Sequence, residues 1–421
     1  MANLSNKIKE LTYTFDEMIS AWSANGYYRK SNVEKGLITD LEVLKQIELF
    51  FLDIDSLKTL LFVPRGRYVR NTYKEMGTLH HPTEVYAPSV YAKKWFPFQH
   101  IFKMHICRSE ITEYKFLEIS NRFEYFYHDF NLSIATWQRA KGNILKKYAG
   151  SDDYEIKQRI FIFESYHELL PKLISIDNVP SELARFINGR VGAYRKAKEE
   201  GSKTRNIDAS FSKKKKEYSL YVKKLLEENG SLFAVSINFY FSNGSSQLDH
   251  RLIKKKFLNS LRSLSDLSMV VGYLGTWEFS RAKEYYLRIV FFIPKKQMYK
   301  AEIFEEVIIN YWNNFQYKHE GKMVNPPLDA EVSNLSYSHD RLKKSHCVIP
   351  NYQSSIFENF VDTVINYTVL AEKFFFPYEL QMFLYSYSKE GKHTANEDGY
   401  YIIDNLKYTF SRSFRGHIRK N

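Results

Sequence analysis

The chain has 421 residues, enough for two or more hydrophobic cores, and carries 61 Lys+Arg against 48 Asp+Glu, a formal charge of +13 at pH 7 that favours a polyanionic partner. Its two cysteines, Cys107 and Cys347, supply neither a disulfide framework nor a zinc cluster. No apolar run of about eighteen residues is present to span a bilayer, and the opening MANLSNKIKELTYTF lacks the apolar centre of a secretion signal, so a cytosolic protein is expected.

In chain order, Leu37–Phe62, Ile111–Phe130, Ile134–Tyr148 and Glu155–Leu170 show helical spacing of apolar residues. Residues 1–192 are therefore expected to form a mainly α-helical domain, whose role the sequence does not reveal. His80, His81, His100 and His105 stand at no spacing known for a metal site, and solvated or capping histidines are the competing reading. Residues 193–216 (AYRKAKEEGSKTRNIDASFSKKKK) are polar, basic and poor in large apolar side chains, which marks a linker. No Walker A sequence, Gly-x-Gly-x-x-Gly or Gly-x-Ser-x-Gly occurs, so nucleotide hydrolysis, serine-hydrolase chemistry and a bound cofactor have no local support.

Residues 217–421 are read as a separate domain. Leu232–Phe241 alternates as a strand, Asp249–Leu264 has helical spacing, and Met269–Phe279 and 285–293 read as a hairpin. Ala301–Phe315 is a predicted helix and Asp329–Tyr337 a fourth strand. The order β-α-β-β-α-β predicts an α+β, ferredoxin-like antiparallel sheet, with helices on one face and the other face free for a ligand. On the third strand, alternation puts Tyr286 and Arg288 on one face, with Leu287 and Ile289 on the other. A mid-strand arginine between apolar neighbours needs a partner. Three readings stay open for it: a salt bridge to Glu278, a phosphate contact, or solvent exposure. Tyr286 is a ligand contact or a packed sheet aromatic.

These residues carry a resemblance. Gly272-Tyr273 with Glu278, the apolar run Val290-Phe291-Phe292, Tyr311-Trp312 at a helix end, Tyr367 in VINYTVLAEKFF, and Tyr408-Thr409-Phe410-Ser411-Arg412-Ser413 together resemble the YagK/YfjJ C-terminal domain family. That family includes replication-initiator-like proteins of filamentous phages, within the HUH rolling-circle endonucleases. The resemblance implies an HUH or Rep-type domain over about 230–415, a nucleophilic tyrosine at Tyr367 and a single-stranded or hairpin DNA or RNA partner. Core packing is the competing reading for Tyr367, on a predicted helix Phe357–Phe374.

The chain departs from the family pattern where the metal is bound. The two metal-binding histidines fall at Tyr286 and Arg288, the glycine before them at Glu284, and the lysine three residues after the tyrosine at Leu370, with Lys373 a turn further on. Arginine stays protonated and a neutral phenol is a poor donor, so no metal site is expected and metal-assisted cleavage loses its main electrostatic contribution. The expectation is a catalytically degenerate, nucleic-acid-binding protein of a mobile genetic element, gripping its ligand with Tyr286, Arg288, the run Lys254, Lys255 and Lys256, and the tail residues Arg412 and Arg415. Other readings are a residual tyrosine nuclease acting on single-stranded DNA, or an effector or toxin of a phage-defence or addiction system whose N-terminal half binds a protein.

Overall fold

The computed structural model describes residues 2–24, 42–65 with breaks, 85–95, 117–119, 179–200, 202–241, 247–261, 267–280 apart from 268, 284–377 apart from 327, and 412–417. It is a mixed α+β protein with antiparallel sheets. Contacts divide the chain into two compact units, one of Met1–Leu11, Thr39–Glu113 and Ile119–Ile207, the other of Thr12–Ile38, Tyr114–Glu118 and Asp208–Asn421. The expected division at 192 and 217 differs in two respects. Helix α1 (Ala2–Ala24) enters the second unit from Thr12 on, and the described residues of the 193–216 stretch, within which the boundary between the units falls, are helical. Lysine, glutamate and alanine favour helix, so a polar, basic composition does not by itself make a linker.

The first unit holds strands as well as helices. Phe62–Arg65 pairs with Val85–Pro88, which pairs with Val179–Pro180 ahead of the helix Ser181–Glu200. The Asn188 side chain accepts from the Phe62 N–H at 3.1 Å and donates to its carbonyl at 2.7 Å, satisfying both backbone groups. The predicted stretch 37–62 is no longer helical at residue 60 and enters a strand at Phe62, and residues 117–119, inside another predicted helix, are a strand. The helices expected at 134–148 and 155–170, and the histidines at 80, 81, 100 and 105, lie outside the described residues.

In the second unit, α2 (Ser202–Asn229) ends at Gly230, whose φ of 73° lets the chain reverse out of the helix. There follow β1 (Leu232–Phe241), α3 (Gln247–Ser260), β2 (Gly272–Ser280), β3 (Glu284–Pro294), α4 (Met298–Asn313), a hairpin of 317–319 and 322–324, β4 (Leu328–Val332) and β5 (His346–Ile349). Helix α5 (Ser355–Phe360) passes through a π-turn at Val361–Ile365 into α6 (Asn366–Phe374), and β6 (Ser413–His417) closes the sheet. Strand order is β4-β1-β3-β2-β6, every pair antiparallel, with β5 beside β4 along the same edge of β1. The expected pairing of the strand bearing Tyr286 and Arg288 with the strand ending at Glu278 is present, placing Glu278 opposite Tyr286 and Thr276 opposite Arg288.

One face of this sheet is apolar. Phe239, Leu287, Ile289, Phe291 and Trp277 pack with Phe257 of α3, Leu261 just after it, and Phe304, Ile308 and Trp312 of α4. Burying each large side chain contributes about 1.5–3 kcal/mol. The opposite face is not free for a ligand, contrary to expectation: all ten residues of β1 are buried, so both faces are covered. Phe360 of α5 meets Phe292 at 5.9 Å, and α1 and the 333–345 loop complete the cover. That loop leaves the sheet edge where a longer fourth strand was predicted. Ser333 donates its N–H to the Ser236 carbonyl, the Ser236 N–H donates to Ser345, and between these two bonds the chain swings over the sheet.

Candidate functional site

Alternation along the central strands gathers polar groups on the second face. Asn238 and Tyr240 of β1, Thr276 and Glu278 of β2 and Tyr286 and Arg288 of β3 stand side by side in register, and all six are buried. Above them lie Tyr367 of α6 and Arg412 just before β6, both 1% exposed.

Burial forces each group to find a partner. Arg288 donates through Nη2 to the carbonyls of Asn334 at 2.8 Å and Leu335 at 2.7 Å, and lies 3.8 Å from the Glu17 carboxylate. Its partner is thus Glu17, whereas Glu278 takes Arg412. Arg412 also donates Nε to the Trp277 carbonyl at 2.9 Å and Nη2 to the Tyr367 hydroxyl at 3.1 Å. Tyr367 donates its hydroxyl to Glu278 at 3.0 Å, and the guanidinium groups of Arg288 and Arg412 each lie 5.2 Å from its ring centroid. Tyr240 donates to Glu331 and accepts from Asn238.

Glu17 is held by more than Arg288. Ser336 donates its hydroxyl to Oε2 at 2.6 Å, Tyr337 its N–H to Oε1 at 2.9 Å and Oε2 at 3.0 Å, and Ser338 its N–H at 3.0 Å and hydroxyl at 2.8 Å to Oε2. Sequence reasoning missed this group because Glu17 was assigned to another domain. One signal was available: Leu11, Thr14, Phe15, Met18 and Ala21 form the buried stripe of α1, and Glu17 sits within it, where a carboxylate demands donors.

These surroundings keep the phenols protonated. Burial pushes the Tyr286 pKa well above the ordinary value, and the Glu278 carboxylate adds to the effect. Tyr367 is raised by burial and by Glu278, against the opposing pull of Arg412 and Arg288. Burial alone would lower the pKa of Arg288, but Tyr337, Glu17, Tyr367 and Glu278 raise it on balance. A protonated phenol and a guanidinium do not make a donor set for a divalent cation, so Tyr286 and Arg288 do not fit a metal. Among the described residues, no group of three or more His, Cys, Asp or Glu is placed to hold one. Tyr367 is buried, and its hydroxyl is bonded to Glu278 and Arg412.

The predicted site residues separate into two groups. Tyr286, Arg288, Tyr367 and Arg412 come together in the buried cluster. The others lie elsewhere. Lys255 and Lys256 are exposed on α3, and Lys254 is half-buried with its ammonium 3.8 Å from the Phe414 ring centroid and 5.2 Å from that of Trp277. Arg415 on β6 donates to the Glu217 carbonyl at 2.7 Å, pairs with its carboxylate at 3.5 Å and lies over the rings of Tyr218 and Tyr221. No helix among the described residues is long and apolar enough to cross a membrane. Comparisons with protein-family models, curated proteins and solved structures find no match.

Proposed function

We propose that the second unit is a ferredoxin-like domain of HUH type, akin to the replication initiators of mobile genetic elements, that has given up metal-dependent strand cleavage and acts by binding nucleic acid. The observation that carries this reading is the meeting of Tyr286, Arg288 and Tyr367. The two residues aligned with the family's histidines lie on the inner face of the central strand, and the residue aligned with its nucleophile packs over Arg288. A metal site has been replaced by a packed network of ion pairs and hydrogen bonds.

Binding then belongs to the outer surface. Lys213 and Lys216 of α2, Lys255 and Lys256 of α3, Lys295, Lys296, Lys343 and Lys344 are exposed, and a phosphate backbone meets such a surface by releasing counterions. The test is titration of the full chain with labelled single-stranded and hairpin DNA over a range of salt. Log affinity is expected to fall with log salt at about −0.7 per phosphate contact on a single strand. Lys255→Glu with Lys256→Glu weakens binding and flattens the slope. No cleavage is expected with manganese or magnesium present. Undetectable binding at about 50 mM salt, where the electrostatic contribution is strong, would overturn the reading and favour a protein-directed effector or toxin.

A further inference from the structure

We propose that the Ser336–Ser338 loop and Arg288 form a binding site for a phosphate group, and that Glu17 occupies it from within the chain. Successive backbone N–H groups curled around one point make an anion-binding concavity, and the Tyr337 and Ser338 amides do this around the Glu17 carboxylate. The Ser336 and Ser338 hydroxyls converge on the same oxygen, so Oε2 faces four donors, whereas a carboxylate oxygen offers about two lone-pair directions. The cradle presents more donors than its occupant can accept well. A phosphate, with about three strong acceptor oxygens, distributes the same donors better.

Two further features point the same way. Arg288 is fixed at the mouth of the loop by its bonds to Asn334 and Leu335, adding a permanent positive charge, and its buried Nε has no hydrogen-bond partner among the described residues. The loop itself is preformed, because Ser336 Oγ accepts from the His339 N–H at 3.0 Å, Leu335 N–H bonds to Lys344 and Ser336 N–H to Leu342. Glu17 comes from 319 residues away in the chain, on a helix near the N-terminus. Local opening of α1 uncovers the cradle without dismantling the sheet.

A polynucleotide as the source of the phosphate rests on the nucleic-acid reading above; binding of inorganic phosphate does not. The full chain and its Glu17→Ala variant are titrated with inorganic phosphate and with single-stranded DNA. Glu17→Ala is expected to bind inorganic phosphate about tenfold tighter or more, since the internal competitor is gone. Adding Ser338→Ala takes back that gain. In the wild-type protein, phosphate is expected to speed amide exchange over Thr12–Ala21 relative to chloride at equal ionic strength. A folded Glu17→Ala that binds phosphate no better than wild type overturns the site, and if that variant does not fold, equal exchange in phosphate and chloride overturns it. DNA binding without a phosphate gain removes this site and leaves the proposed function standing; a phosphate gain without DNA binding does the reverse.

Discussion

Arg288 lies at 4% exposure with Glu17 at 0%, so neither charge can fall back on water if the other is removed. Breaking a buried pair by deleting one partner costs about 3–5 kcal/mol, because the survivor is left uncompensated. Arg288→Met is therefore expected to lower stability to urea by about that amount, and Glu17→Gln by less, since the amide oxygen still accepts from Ser336 and Ser338. The double variant should be more stable than the summed losses allow, with a coupling of about 0.5–3 kcal/mol. Additive losses would show that Arg288 acts only through the Asn334 and Leu335 carbonyls.

At the scale of elements, β6 depends on a missing side chain in β2. Gly275 pairs with Phe414, and a Cβ added at Gly275 would lie 2.3 Å from atoms of the Phe414 ring. Gly275→Ala is expected to cost about 1–3 kcal/mol by overpacking, with hydrogen exchange opening 413–417 before the central strands. Within 232–332 most elements were legible, from a bounded apolar run at 285–293 whose side chains alternate between faces and from helical spacing that includes Ile308 and Trp312, whereas the short hairpin of 317–319 and 322–324 was not read. That alternation also placed Tyr286 and Arg288 together on one face. What it could not tell is what lies over that face. Ser336 meets Glu17 across 319 residues and Arg412 meets Glu278 across 134, and no local pattern encodes contacts so distant. The predicted fourth strand ran to Tyr337 for the same reason, since nothing local shows that the chain leaves the edge after Ser333 to build the Glu17 cradle.

For the second unit as a whole, buried tyrosines set an alkaline limit. Tyr221 of α2, Tyr240 of β1, Tyr286 of β3 and Tyr367 of α6 all have pKa values raised above 10.0, burial being the largest cause in each. Below that value both folded and unfolded chains hold these protons, and the four groups leave stability independent of pH. Above it the unfolded chain releases protons that the folded chain keeps, so the unfolded form binds fewer and stability falls as pH rises. Each group contributes a slope of about 1.4 kcal/mol per pH unit until its own folded value is reached. The urea midpoint is expected to hold steady up to about pH 9 and then drop steeply, and the last tyrosinate absorbance to appear only as the chain unfolds. Ionisation of all 32 tyrosines in a folded chain, with an unchanged midpoint, would mean that the buried face opens to solvent. The cluster would then be reachable by an outside ligand, and the binding surface would have to be sought there rather than on the lysines of α3.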